Sequence, residues 1–474
     1  MKSSLSIRLL AAEAVVHEIH TRMPFRYGNA CLTASPVLTL RLSVEAADGR
    51  RSRGLASDCL PPRWFDKDPG KEYRQNVDDQ LMAYRLARDA YLSAGERSQS
   101  AFEQWRDAFD RTLETGAAAG LNALTTSFGS SFFERAMIDA LCRLSGVSFF
   151  EALRGDLLGL ETAACLPEEP LARIGCRHTV GLGDPVTVDE IPSGERLDDG
   201  LPQALDECIE FYGLRYFKIK VCGEHERDID RLGRMAGLLA ERCPGGYTIS
   251  LDGNEQYRDL GDLERLLEAL RSRPDGERFV GSVLYIEQPL ARDLALEAAA
   301  ARDVRRLSEL KPVIIDESDD SPDSFARAVK LGYRGTSHKN CKGIFKSLQN
   351  RARIDELNRE TAPGRFFLTA EDLANTPVIP LQQDLASVAA LGIEHAERNG
   401  HHYFRGLDHL PPREALSARE AHPDLYREDR GSVFLRIEDG QIDCRSLQCP
   451  GYGYAGEIAF DERTPLEAWS FDRL

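Results

Sequence analysis

The chain has 474 residues, 42% apolar and 29% charged, which is the composition of a folded globular protein with core enough for two or three domains. Lys and Arg number 60 against 77 Asp and Glu, a net charge of −17, which argues against nucleic acid and anionic membranes as partners. No apolar run reaches the 18 or so residues that span a bilayer, and the 11 scattered cysteines, without CxxC spacing, fit reduced thiols in a cytoplasmic protein.

Met1 to Ala12 mixes Lys2 and Arg8 with apolar residues, as a leader would, but Glu13, His17 and Glu18 interrupt the run. It reads instead as the first strand of a domain. Ser6 to Ile19 and Val37 to Val44 alternate as half-buried strands, with Met23 to Ala30 as a loop between them. From about Asp79 to Leu153 the periodicity is helical, and Phe132 to Leu141 is apolar on nearly two faces, so that helix is buried. Strands followed by helices make an α+β domain over residues 1–160.

After a loop from Leu157 to Arg173, Gly175 to Thr179 opens a second pattern: a strand, then a helix, repeatedly. Phe217-Lys218-Ile219-Lys220, Ser250-Leu251-Asp252, Tyr285-Ile286-Glu287 and Ile314-Ile315-Asp316 each end an apolar run in charge, and Arg334 to His338 leads into Lys339. Between them lie helical stretches, such as Ile229 to Leu239 stopped by Pro244-Gly245-Gly246. Ser321 and Pro322 mark another helix start, and a long helix is expected over Gly343 to Asn358. Weaker strands follow at Phe366 to Leu368 and Ile393 to His395. This alternation predicts a parallel α/β barrel over residues 161–410 with its chemistry on one rim. Residues 411–474, with a hairpin-like run at Ser432 to Ile437, form an addition.

Lys218 and Lys220 lie two apart and share a strand face. Two adjacent ammonium groups, partly buried, are expected to lower each other's pKa toward that of a useful base. Asp252, Glu287 and Asp316 end runs that are otherwise buried, where unpaired carboxylates are costly, so the cluster calls for cations. Three oxygen ligands with water suit Mg²⁺. Parity does not choose between Asp316 and Glu317. Lys339 is placed across the barrel mouth from Lys220, whereas Lys342 and Lys346 read as solvated residues at a helix start.

With these motifs in view, the chain resembles the enolase superfamily, in its mandelate racemase/muconate-lactonizing group. Lys218-Ile219-Lys220 matches the group's Lys-x-Lys strand. Asp252-Gly253-Asn254, Ile286-Glu287-Gln288-Pro289 and Ile315-Asp316-Glu317-Ser318 resemble its three metal-ligand motifs, and His338 to Gly343 resembles the sixth-strand lysine motif of the muconate-lactonizing and dipeptide-epimerase branches. The resemblance implies an N-terminal α+β cap over a modified (β/α)₇β TIM barrel, with the C-terminal segment returning to the cap. It implies one Mg²⁺ held by Asp252, Glu287 and Asp316, with Lys220 and Lys339 as acid and base and Lys218 tuning Lys220 or holding the substrate carboxylate.

Cap loops around Arg26-Tyr27 and Asp58-Cys59-Leu60 are expected to close over a small carboxylate substrate, and Asn254, Glu317, Glu371 and His395 are further candidates for contact with it. The activity implied is α-proton removal through an enediolate, a use of Lys or His bases with Mg²⁺ that is general to such sites. An isomerase fits two opposed lysines; a lyase, a non-catalytic ligand-binding descendant and a barrel hydrolase are the alternatives. A homo-oligomer is left open. Two departures stand out. Lys339 occupies the place of the Asp in an Asp–His dyad, and Glu394 to Glu397 stands where dipeptide epimerases carry paired aspartates. Extra length around 66–115 and 411–474 is expected to reshape the cap.

Overall fold

The computed structural model describes residues 4–474; the first three residues of the expected Met1–Ala12 strand lie outside them. Strands β1 (Ile7–Tyr27), β2 (Ala30–Ala46) and β3 (Arg51–Cys59) form an antiparallel meander. The expected loop at Met23 to Ala30 is therefore mostly strand. β1 runs on to Tyr27 through a register shift between His20 and Phe25, and turns at Gly28, whose φ of +49° suits glycine.

Helices α1 (Tyr73–Ala94), α2 (Ala101–Ala118) and α3 (Ala123–Ser145) cover one face of this sheet, so the extra length around 66–115 is helical cap. α2 starts at a reciprocal Ser100–Glu103 capping box. α3 lies between the sheet and α1 and is buried over almost its whole length, as its all-round apolar pattern requires. Glycine makes that close approach feasible. A Cβ on Gly129 of α3 would come within 2.2 Å of the Ala83 carbonyl oxygen in α1.

The second body is a ring of parallel strands: β4 (Arg173–Val180), β5 (Tyr216–Lys220), β6 (Thr248–Asp252), β7 (Val283–Glu287), β8 (Val313–Ile315), β9 (Gly335–His338), β10 (Phe367–Ala370) and β11 (His395–Arg398). Each pairs with the next from β4 to β10, and β11 returns to pair with β4. The architecture is the expected cap plus TIM-like barrel. Helices cover the outside; the one after β5 spans His225–Arg242, and the one after β9 spans Ile344–Glu360. The helix expected from Ser321 begins at Ser324, with the Ser321 hydroxyl 2.8 Å from that of Ser324.

Beyond the barrel come the hairpin β12 (Tyr426–Asp429) and β13 (Ser432–Leu435), then β14 (Gln441–Asp443), which pairs antiparallel with the start of β4. β15 (Thr464–Pro465) adds to β1, so the C-terminal segment ends on the cap sheet. No helix among the described residues is long and apolar enough to cross a membrane. Gly129→Ala should lower stability by ~1–3 kcal/mol despite the better helix former, because the added methyl meets backbone; urea denaturation of the variant checks this.

Candidate active site

The strand ends place the charges. β4 directs Arg177 and Thr179 into the barrel, β5 directs Lys218 and Lys220, β6 and β7 end at Asp252 and Glu287, and Asp316 directly follows β8. The Lys218 ammonium donates to Glu287 Oε1 at 2.8 Å, Glu371 Oε2 at 2.7 Å and Glu397 Oε2 at 2.7 Å, with Asp252 Oδ2 3.0 Å away. Arg177 reaches Glu371 Oε1 at 2.7 Å, and the Tyr285 hydroxyl donates to the same oxygen at 2.9 Å. Thr179 donates to Glu397 Oε1 at 2.7 Å. All of these groups are buried.

Above this layer, Lys220 donates to Asp252 Oδ2 at 2.6 Å, and Lys339 donates to Asp316 Oδ2 at 2.6 Å. Lys342 also reaches Asp316 Oδ1, at 3.1 Å, and Lys346 lies 3.6 Å from Asp319 Oδ1. Those two lysines are only 1% and 2% exposed, which overturns the reading of them as solvated residues. The strand-end acids therefore divide. Asp252 and Glu287 share the Lys218 amine, while Asp316 is bonded to Lys339, Lys342 and the Ser337 hydroxyl.

Lys218 is not poised as its spacing from Lys220 suggested. Against the cost of burial, Asp252, Glu287, Glu371 and Glu397 hold Lys218 well above the ordinary lysine range. Lys339 is likewise raised, by Asp316 against burial. Two amines side by side would depress each other, but each faces carboxylates instead. Against burial, Arg177 and Lys218 hold Glu371 down at about 2, and Lys218 with Lys220 hold Asp252 below its usual value. Glu287 is the exception: burial, with Asp252 and Glu371 beside it, pushes it well up.

That imbalance bears on a metal. Glu287 lacks enough positive charge, and Asn254 Oδ1 and Glu317 Oε2 are buried without a hydrogen-bond donor. Such hard oxygens could take a divalent ion such as Mg²⁺ beside Glu287; Asp252 and Asp316, the other acids that could hold it, carry lysine partners in this structure.

A narrow cavity, nearly filled by its own side chains, lies over the lysines. Its floor is Lys220, Lys339, Asp372, Glu397 and Asn399; its roof is Phe25, Tyr27, Leu32, Pro61 and Trp64 from the cap. The Lys339 ammonium sits 4.3 Å from the centre of the Trp64 ring. The loop carrying Trp64 is tied to the barrel rim by Lys67, which bonds the Asn254 carbonyl at 2.8 Å, Glu317 Oε1 at 3.0 Å and Glu255 Oε2 at 2.6 Å. Arg292 braces the same loop through the Trp64 and Phe65 carbonyls.

Tyr27 lines the cavity, but Arg26 is exposed and lies against Gly183 instead. Asp58 is buried against Arg135 at 2.8 Å, and the Cys59 thiol donates to the Leu373 carbonyl. Asn254 and Glu317 bond each other at 3.3 Å and belong to the Lys67 cluster on the rim. Glu371 is saturated by Lys218, Arg177 and Tyr285 in the layer beneath the lysines. His395 starts β11, at the opposite end of the barrel, where it stacks on Tyr216 with ring centres 4.8 Å apart. Glu397, at the end of the same strand and on the same face, is the residue that reaches the cavity. Its strand-end position was the signal that could have singled it out.

No family model matches this sequence, and no curated protein matches it. Solved structures do. A muconate lactonizing enzyme from Pseudomonas fluorescens, complexed with muconolactone, superposes with a TM-score of 0.61 at 17% identity over 95% of this chain and 97% of that one. A mandelate racemase/muconate lactonizing protein from Herpetosiphon aurantiacus gives 0.61 at 16% identity over 95% and 99%. A dipeptide epimerase from Enterococcus faecalis V583, complexed with Mg and the dipeptide L-Leu-L-Tyr, gives 0.59 at 13% identity over 94% and 99%. The chain has the mandelate racemase/muconate lactonizing fold. In that fold's terms, the site above lies between the cap and the C-terminal ends of the barrel strands.

Lys218→Met should destabilise the protein by ~3–5 kcal/mol at neutral pH, because four buried acids lose their common cation. The sign follows from those acids. In the wild type, the depressed carboxylates add stability above their unfolded pKa values, and this is lost as pH falls through the folded ones. In the variant they gain by protonation, so the stability gap should narrow as pH falls below about 5. Denaturant curves at several pH values test this.

Proposed function

We propose that this chain is a Mg²⁺-dependent enzyme of the enolase superfamily that removes the proton α to a carboxylate and returns one to the opposite face, an isomerase. The observation that carries the reading is that Lys220 and Lys339, from strands β5 and β9, line one cavity beneath an apolar roof. Two amines on separate walls suit abstraction on one face and delivery on the other. Lys220 and Lys339 each reach the cavity from beside a strand-end acid, so one serves as proton acceptor and the other as donor, and the roles exchange between antipodes.

Mg²⁺ held by Asp252, Glu287 and Asp316 would polarise the substrate carboxylate and stabilise the charge that develops on it. Lys218 neither donates nor accepts the substrate proton; it fixes Asp252, Glu287 and Glu397 in place. The cap excludes water, and Trp64 confines the Lys339 amine. Phe25, Tyr27, Leu32 and Pro61 present no charge to the far end of a substrate, which supports a carboxylate bearing an apolar or aromatic substituent.

Incubation in D₂O with a library of such acids should give α-deuterium incorporation with inversion, lost on chelation and restored by Mg²⁺. Lys220→Ala and Lys339→Ala should each slow inversion by about 10²–10⁴-fold, while each keeps exchange of the one antipode whose hydrogen faces the surviving lysine. Exchange surviving the loss of both lysines would overturn the reading. Elimination without inversion would redirect it to a lyase.

A further inference from the structure

A second set of ligand-type side chains lies on the outer side of the barrel wall. Arg177 and Thr179 of β4 point inward to Glu371 and Glu397, so the strand's alternation turns His178 outward, toward the helix Leu205–Tyr212. There it meets Cys208 of that helix and His402 of the short helix that follows β11. One ring nitrogen of each histidine and the Cys208 Sγ lie within 4.8 Å of one another. All three residues are buried, at 1%, 0% and 2% exposure.

We propose that His178, Cys208 and His402 form a structural site for a borderline-soft divalent ion, Zn²⁺ in particular, distinct from the carboxylate site in the barrel mouth. Donor chemistry separates the two sites. Two imidazoles and a thiolate select zinc, whereas the all-oxygen set around Asp252 suits Mg²⁺. Cys208 Sγ and His402 Nδ1 are 3.6 Å apart. The edge between sulfur and nitrogen in a tetrahedral zinc shell is ~3.6 Å, from bonds of ~2.3 Å and ~2.0–2.1 Å.

The surroundings match a liganding set. His178 Nδ1 lies 3.0 Å from His401 Nε2, an outer contact of the kind that orients a metal-bound imidazole. Asp184 Oδ2 lies 3.8 Å from His402 Nε2, the ring nitrogen turned away from Cys208, and so stands behind that imidazole rather than among the ligands. On binding, Cys208 releases its thiol proton to solvent and ligates as thiolate. Because His178 is on the first barrel strand and His402 follows the last, the ion would staple the β4–β11 closure to the outer helix.

The test begins with protein stripped of metal by chelator and refilled with Zn²⁺ or Co²⁺ in large excess of Mg²⁺. Expected are one zinc per chain by elemental analysis and, with Co²⁺, a thiolate-to-cobalt absorption in the near ultraviolet. Cys208→Ser should abolish that absorption and weaken binding by about 100-fold or more; His402→Gln should weaken binding comparably. X-ray absorption at the zinc edge of the wild-type protein needs no variant. One sulfur at ~2.3 Å with nitrogen neighbours supports the site. An all-oxygen shell, no zinc uptake in the presence of Mg²⁺, or a cobalt spectrum unchanged by Cys208→Ser would overturn it.

Discussion

Four carboxylates around the Lys218 ammonium are the constraint on which the rest of the barrel mouth depends. A buried acid is tolerated only with a cation in contact, and the barrel supplies its cations from neighbouring strands in alternation with the acids. Arg177 and Lys218 neutralise the lower layer, and Lys220, Lys339 and Lys342 the upper one. Every one of these side chains is therefore fixed by an oppositely charged partner before any substrate arrives. Such preorganisation is what a site that stabilises developing negative charge requires. Glu287, the one acid left short of compensation, marks where another positive charge is wanted.

The cap completes the chamber rather than adding to its charge. Its contributions are rings and a proline over the lysines, and it is anchored outside the cavity by Lys67 and Arg292 on the rim. Polarity is thus sorted vertically, with ions below, apolar surface above and the cavity between. The cap sheet in turn is held by α3, whose Glu134 accepts from the backbone amides of Ile344 and Phe345 at the start of a barrel helix. The two bodies share buried hydrogen bonds as well as apolar contact.

Much of this was legible in the sequence, for a definite reason. A charged residue directly after an apolar strand run has few places to go, so Lys220, Asp252, Glu287 and Asp316 announced the rim, and the strand–helix alternation announced the barrel. What stayed hidden depends on partners distant in the chain. Lys342 and Lys346 resemble ordinary helix-start lysines until Asp316 and Asp319 are seen beside them. Trp64 and Lys67 sit in a loop with no periodicity, and only the docking of cap on barrel gives them roles. The protonation of Lys218 was misjudged because its spacing from Lys220 reveals the neighbouring amine but not the acids across the barrel. His395, a candidate for substrate contact, begins its strand and so lies at the far end of the barrel, whereas Glu397 two residues on reaches the cavity.

The ties of Lys67 have a consequence for traffic through the site. This residue joins the cap loop to Asn254, Glu255 and Glu317 while it is itself largely shielded, and the Trp64 that the loop carries forms part of the ceiling. In the proposed enzyme, releasing that clasp would lift Trp64 away from Lys339, so the tempo of opening would set an upper bound on throughput however fast the proton moves inside.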